Sequence, residues 1–192
     1  MITDEKAMIR KEMLKRRRAL SKDECRTMSK IICRRFLETD EYKNAGTILL
    51  YKAYNNEVDT DMIFDQAVAD GRKVAFPLSK IEDGEPVMTF YVIDDIAQLK
   101  SGYMGILEPD LSKKPEPFEG SADLCIAPGV AFDRKCHRIG YGKAFYDRYI
   151  RLNAPGRVIG LAYELQMADD FRPEDTDRAV DMVITDKTVY RK

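Results

Sequence analysis

Histidine is nearly absent: His137 is the only one in the chain. A metal centre built from several imidazoles is thereby excluded, and any Ser–His or Cys–His nucleophile would have to use this one residue. Its neighbour Cys136 is a poor partner, because adjacent side chains in extended chain point to opposite sides. Long hydrophobic runs are missing too. No stretch approaches the roughly 18 apolar residues of a membrane-spanning helix, and Met1-Ile2-Thr3-Asp4-Glu5-Lys6 lacks the apolar core of a secretory signal. An excess of either charge is also absent, since 32 Lys and Arg face 33 Asp and Glu for a net charge of −1. Domains that bind nucleic acid by bulk charge are strongly basic, which disfavours that class. The four cysteines, Cys25, Cys33, Cys125 and Cys136, have no CxxC spacing and read as free thiols of a reducing compartment. The expectation is a cytoplasmic protein with no membrane and no nucleic-acid partner.

What is present suits one ordinary α/β domain over residues 1–192, with 44% hydrophobic residues to fill its core. Residues 3–20 place Ile9, Met13 and Leu20 on one helical stripe. Ser21-Lys22-Asp23-Glu24 has the form of a capping box and opens a second helix toward Leu37. Thr47-Ile48-Leu49-Leu50-Tyr51 reads as a buried strand, Thr60 as the cap of a helix running to Asp70, and Val74-Ala75-Phe76 as a second strand. Strand, helix and strand with short links imply a parallel βαβ unit. Met88–Ile93 is a further strand, and 100–120 a long surface connection. Strands over 124–127, 158–162 and 182–185, with a helix from Lys143 to Leu152, complete a layered helix–sheet–helix arrangement.

Three segments carry candidate chemistry. Lys6, Arg10 and Arg17 are spaced by 4 and 7 residues, within roughly 40° of one another on a helix. Taken alone, this cationic stripe reads as a solvated helix face. Arg138-Ile139-Gly140-Tyr141-Gly142-Lys143-Ala144-Phe145-Tyr146-Asp147 follows a strand and loop. Two glycines before a helix let backbone N–H groups approach an anion, with Arg138 and Lys143 supplying full charges and Asp147 placed to hold Mg²⁺ near phosphates. It is neither a P-loop nor a dinucleotide fingerprint, and on its own a plain tight turn is equally good. Glu57-Val58-Asp59-Thr60 follows the first strand, at the end where parallel sheets bind ligands. Asp59 and Thr60 read as helix-capping residues, which leaves Glu57 as the functional candidate.

In order along the chain, Lys6-x-x-x-Arg10, Glu57-Val58-Asp59-Thr60, Pro128-Gly129-Val130-Ala131-Phe132-Asp133, Arg138-x-Gly140-Tyr141-Gly142, Asp177 and Val180-Asp181-Met182-Val183-Ile184-Thr185 resemble the 5-formyltetrahydrofolate cyclo-ligase family. The resemblance implies a three-layer α/β/α fold with a mostly parallel central sheet, of the NagB/RpiA/CoA-transferase-like kind. It implies ATP- and Mg²⁺-dependent closure of 5-formyltetrahydrofolate to 5,10-methenyltetrahydrofolate by a phosphorylated intermediate. Carried over by position, Lys6, Arg10, Arg138, Gly140, Tyr141, Gly142, Lys143 and Tyr146 bind ATP. Lys52, Glu57, Tyr141, Lys143, Phe145 and Tyr146 bind the folate. Arg138 and Lys143 are the catalytic pair, and Asp147 and Asp181 hold Mg²⁺. The expected working unit is a monomer, although no residue pattern fixes an oligomeric state.

The chain departs from the family pattern at Cys136 and Ala144, where glycine is usual, and at Thr176, where histidine is common. If the turn at Cys136 needs a positive φ, its side chain costs on the order of 1 kcal/mol there. An added methyl at Ala144 crowds the phosphate turn unless that position is already helical. These departures motivate an alternative, a family-like nucleotide- or folate-binding module with weak or no ligase activity. Cys136, flanked by Lys135, His137 and Arg138, also reads as a candidate redox-sensitive thiol. A more distant alternative is RNA binding through Lys15-Arg16-Arg17-Arg18.

Overall fold

The computed structural model describes residues 2–102, 105–174 and 177–192. Two helices come first, α1 (Ile2–Arg18) and α2 (Lys22–Leu37). Ser21 separates them: its hydroxyl accepts the Glu24 N–H at 3.2 Å, and the Glu24 carboxylate accepts the Ser21 N–H at 2.8 Å. This reciprocal cap satisfies two backbone donors that helix geometry leaves over. A short α3 (Asp40–Asn44) leads into β1 (Thr47–Leu49), α4 (Asp61–Ala69) and β2 (Lys73–Glu82). The chain continues through β3 (Glu85–Val92), β4 (Leu99–Ser101), β5 (Leu107–Pro109), β6 (Leu124–Ala127), β7 (Ala131–Phe132) and β8 (Arg138–Ile139). It closes with α5 (Phe145–Asn153), β9 (Arg157–Leu161), β10 (Met182–Ile184) and β11 (Val189–Arg191).

Seven strands form the main sheet in the order β11-β10-β9-β6-β1-β2-β3. The five inner strands run parallel, and β3 and β11 are antiparallel edges. Strand alternation then divides the core. Ile48, Leu50, Leu124, Ile126, Ile159 and Ile184 pack on one face against α2 and α4. Leu49, Cys125, Ala127 and Val183 face the other way, toward Phe132 and the Tyr146, Tyr149 and Ile150 side chains of α5. The result is the expected α/β/α sandwich with a mostly parallel sheet. A third apolar cluster seats α1, whose Ile9, Met13 and Leu14 meet Val130, Ala131, Ile139 and Phe171.

Several local expectations are corrected. The strand read at 74–76 extends to Glu82, because beyond the sheet it pairs with β3 as a hairpin closed by Asp83 and Gly84 at φ 50° and 82°. Both residues at positive φ is the geometry that two-residue hairpin turns favour. The connection over 100–120 holds the β4–β5 pair, and Pro117 bridges to Tyr91. Thr60 does not cap α4 with its side chain; its hydroxyl donates to the Tyr51 carbonyl at 2.6 Å. Asp59 caps instead, accepting the Asp61 N–H at 2.9 Å.

Both glycine-replacing residues sit in the left-handed region, Cys136 at φ 63° and Ala144 at φ 54°. Thr176, the third departure, lies outside the described residues. The Cys136 turn is held by Asp133, a fully buried carboxylate that accepts the Lys135 and His137 N–H groups at 2.9 and 2.8 Å and pairs with His137 Nδ1 at 2.8 Å. The Cys136 thiol is buried, and that burial pushes its pKa up, so it lacks the thiolate character of a redox sensor. Burial also pushes the thiols of Cys33 and Cys125 to about 12. Native-state thiol labelling is therefore expected to modify only the half-buried Cys25 rapidly, the other three reacting on unfolding. Ala144 is exposed, so Ala144→Gly should relieve strain and stabilise the protein by about 1 kcal/mol, raising Tm by roughly 2–4 °C. Cys136→Gly should be closer to neutral in the same melts, because the relieved strain is offset by a lost buried side chain.

Candidate active site

The exits of the parallel strands supply the site. The loop after β1 carries Lys52, Tyr54 and Glu57; the loop after β6 leads through Gly129 and β7 to Arg138, and a glycine-rich turn then enters α5. Arg138 is buried, with Nη2 on Asp147 at 2.9 Å and Nη1 donating to the Pro128 carbonyl at 3.1 Å. A Cβ at Gly140 would stand 2.9 Å from Arg138 Nη1 and push that guanidinium aside, and Gly142 lies at φ 88°, a conformation that favours glycine. Two enclosed polar atoms are left over here. Arg138 Nε and the Tyr146 hydroxyl have no hydrogen-bond partner among the described residues. The Arg138 guanidinium stands 5.7 Å from the Tyr146 ring centre, so the two side chains are neighbours. A buried polar group without a partner costs about 1–3 kcal/mol, so each of these atoms has room for a bound water or a ligand acceptor.

The cationic stripe of α1 is not a solvated face. Lys6 is 7% and Arg17 1% exposed, and both are turned inward. Arg10 Nε donates to the Gly140 carbonyl at 2.8 Å, tying α1 to the glycine-rich turn. Lys6 pairs with the Asp177 carboxylate and lies 3.4 Å from Glu174. Arg16 pairs with Glu12 at 2.9 Å, so Lys15-Arg16-Arg17-Arg18 does not form a continuous basic surface.

The two carboxylates that the resemblance pairs, Asp147 and Asp181, lie apart in the structure. Asp147, in the first turn of α5, accepts the Arg178 N–H at 3.3 Å, which places the adjacent Asp177 beside it. Asp181 is committed elsewhere. At the amino end of β10 its Oδ2 accepts the Val158 N–H at 2.7 Å and its Oδ1 faces Arg157 at 3.5 Å. There it lines a cleft of about 260 Å³ with Glu41 and Arg191. Asp147 thus stands on Arg138 and the Arg178 backbone, next in sequence to the Asp177 that pairs with Lys6, while Asp181 lies at the opposite end of the sheet. Asp177 was among the residues of the resemblance, but no role was carried over to it.

Glu57 is buried, and its Oε2 accepts the Tyr54 N–H at 3.0 Å. Burial pushes its pKa up, and the Arg17 cation opposes that rise. Tyr141 links this region to the glycine-rich turn, since its hydroxyl accepts from Arg17 and lies beside Glu57. Tyr163 supports the same loop by donating to the Glu57 carbonyl at 3.0 Å. Lys52 pairs with Asp61, and Phe145 is half-buried at the start of α5. Lys143 is exposed, with no ion pair or hydrogen bond among the described residues, and is free to turn toward a ligand. A separate cleft of about 450 Å³ between α2 and α4, lined by Ser29, Cys33, Asp59 and Met62, shares no residue with the site predicted from sequence.

A model of the 5-formyltetrahydrofolate cyclo-ligase family matches residues 2–186. The chain is 33% identical over 175 residues to a Schizosaccharomyces pombe protein named probable 5-formyltetrahydrofolate cyclo-ligase, across 83% of this chain and 84% of that one. It is 26% identical over 178 residues to 5-formyltetrahydrofolate cyclo-ligase of Escherichia coli, across 91% of this chain and 97% of the relative. The solved structure of 5,10-methenyltetrahydrofolate synthetase from Aquifex aeolicus aligns with a TM-score of 0.83 at 30% identity, covering 97% of this chain and 92% of that chain. That of Mycoplasma pneumoniae aligns at 0.72 with 26% identity, covering 94% and 98%. Whole-chain similarity and shared architecture agree, and the chain belongs to the 5-formyltetrahydrofolate cyclo-ligase family.

Proposed function

We propose that this protein closes 5-formyltetrahydrofolate to 5,10-methenyltetrahydrofolate at the expense of ATP, with Mg²⁺, releasing ADP and phosphate. The observation that carries the reading is the gathering of Lys6, Arg10, Arg138, the glycine-rich turn, Asp147 and Asp177 into one cradle beside buried Glu57. In this reaction the formyl oxygen attacks the γ-phosphorus and ADP leaves. The folate N10 then adds to the formyl carbon, loses its proton, and expels phosphate as the C–O bond breaks. Phosphorylation is needed because an amide-like oxygen is a poor leaving group. The protein needs no nucleophile for this; positioning and charge neutralisation are enough.

In this reading Lys6 and Arg10 meet the phosphates from α1, and Arg138 with Lys143 neutralises charge on the transferring group. The backbone of Gly140, Tyr141 and Gly142 wraps the triphosphate, and the orphaned Arg138 Nε and Tyr146 hydroxyl gain acceptors from it. Glu57, Lys52, Tyr141, Phe145 and Tyr146 hold the folate. Asp147 and Asp177 would hold Mg²⁺, offering the hard oxygen donors it prefers. When bound there, Mg²⁺ supplies charge neutralisation to the phosphates. The binding-module reading draws on the strained turns at Cys136 and Ala144, yet neither displaces a charged group of the cradle.

Protein-dependent growth of methenyltetrahydrofolate absorbance on mixing with 5-formyltetrahydrofolate, Mg²⁺ and ATP is the expected result. A flat trace from folded, ATP-binding protein would overturn the ligase reading in favour of the binding module. Asp147→Asn and Asp177→Asn should each lower kcat/KM by about 100-fold or more, the scale of losing one stabilising group at a transferring centre. Asp181→Asn should leave turnover within a few-fold and cost about 1 kcal/mol in a urea melt, through the weakened bond to Val158.

A further inference from the structure

Arg17 has no role in the reaction as written, although it is among the largest fully buried side chains of the protein. Its Nε donates to the Asn55 carbonyl at 3.0 Å and its Nη1 to the Gly129 carbonyl at 3.2 Å. Nη2 donates to the Tyr141 hydroxyl, and Nη1 lies 4.0 Å from Glu57 Oε1. One guanidinium therefore touches the loop after β1, the loop after β6 and the glycine-rich turn. Its rigid fork of five donors suits such a junction, and a lysine would reach fewer of these acceptors. A simple anchor for α1 would not need a full charge here, since Met13 already seats the helix in an apolar cluster. Burying a cation costs several kcal/mol unless a counter-charge faces it. Glu57 is that counter-charge.

We propose that Arg17 is a positioning residue: it holds the Glu57 carboxylate ready for the folate and, through Tyr141, links that carboxylate to the nucleotide-binding turn. The inference rests on the proposed placement of folate at Glu57 and of ATP at the glycine-rich turn. Besides Arg17 from α1, the titratable groups around Glu57 are Tyr141 from that turn, Tyr51 from the β1 exit, Tyr146 from α5 and Tyr163, whose hydroxyl donates to the Glu57 carbonyl. The four phenols are neutral, so Arg17 is the cation that resists protonation of the buried carboxyl. Removing its charge raises the Glu57 pKa. The carboxylate then protonates at a higher pH, and folate binding fails earlier as pH falls. The link through Tyr141 makes each ligand favour the ordered form of the other's site, a reciprocal coupling.

Calorimetry with 5-formyltetrahydrofolate and a non-hydrolysable ATP analogue, alone and together between about pH 5.5 and 8.5, tests both parts. In wild type each ligand should tighten the other by about fivefold or more. Arg17→Met should move the acidic limb of folate binding up by about one pH unit or more, the scale of losing one facing charge. Arg17→Lys, which keeps the charge, should restore most of that limb. Tyr141→Phe should abolish the coupling, read as the ratio of each ligand's affinity with and without the other, whatever it does to either affinity alone. An unmoved limb in folded Arg17→Met would overturn the inference and leave Arg17 as a structural anchor. If Arg17→Met does not fold, persistence of full coupling in Tyr141→Phe overturns it instead. Failure of the proposed function shows differently, as wild type that binds no folate at any pH.

Discussion

A helix that carries cations on its inner face can be seated only where carbonyls and carboxylates wait for them, and α1 meets that demand across the carboxyl ends of the parallel strands. Lys6 finds Asp177 and Glu174, Arg10 finds the Gly140 carbonyl, and Arg17 finds Asn55, Gly129, Tyr141 and Glu57. Without those partners, burial of the charges would cost more than the contacts of Met13 and its neighbours return. The placement of α1 in turn decides the rest. It brings residues from the first turns of the chain against the loop after β1 and against a turn more than a hundred residues further on.

The sheet explains why such a meeting is possible at all. Parallel strands end on one side, so the loops after β1 and β6 and the entry to α5 crowd together while their starting ends lie far away. Asp147 and Asp181 illustrate the division, one facing Arg138 at the strand exits, the other bonded to Val158 at the strand starts. Between them Asp133 stiffens the route to Arg138, holding Cys136 in a conformation that a side chain adopts only under constraint.

Much of this was legible in the residues. The Ser21–Glu24 cap, the apolar run at β1 and the βαβ spacing announced a helix-covered parallel sheet, and the order of short motifs announced the family. Helical spacing also put Lys6, Arg10 and Arg17 on one stripe. It could not say which way the stripe faces, because a helical wheel gives relative angles and only packing gives the inward direction. That Asp181 lies at the strand starts, away from Asp147, was closed for a related reason: a residue beside an irregular loop has no facing that spacing predicts. Thr60 was misread because its hydroxyl is turned to donate to the Tyr51 carbonyl and does not accept from the helix N–H groups that follow it. The hairpin beyond Phe76 was missed although Asp83-Gly84 is a strong turn signal, since the continuous strand reading stopped where the parallel sheet stops.

The connection over 110–120 does more than span a gap. The Val92 N–H donates to the Glu116 carbonyl and the Phe118 N–H to the Phe90 carbonyl, each at 2.8 Å, so this segment lies along the outer edge of β3. An uncovered edge strand offers unpaired backbone groups to any other chain and is a common starting point for aggregation. Here the covering segment carries Pro115 and Pro117, which have no N–H to donate outward, and the hairpin tip beyond it carries Lys80, Glu82 and Glu85. A sheet that must stay open at its strand exits to admit ligands is thereby denied a template for joining another sheet along this side.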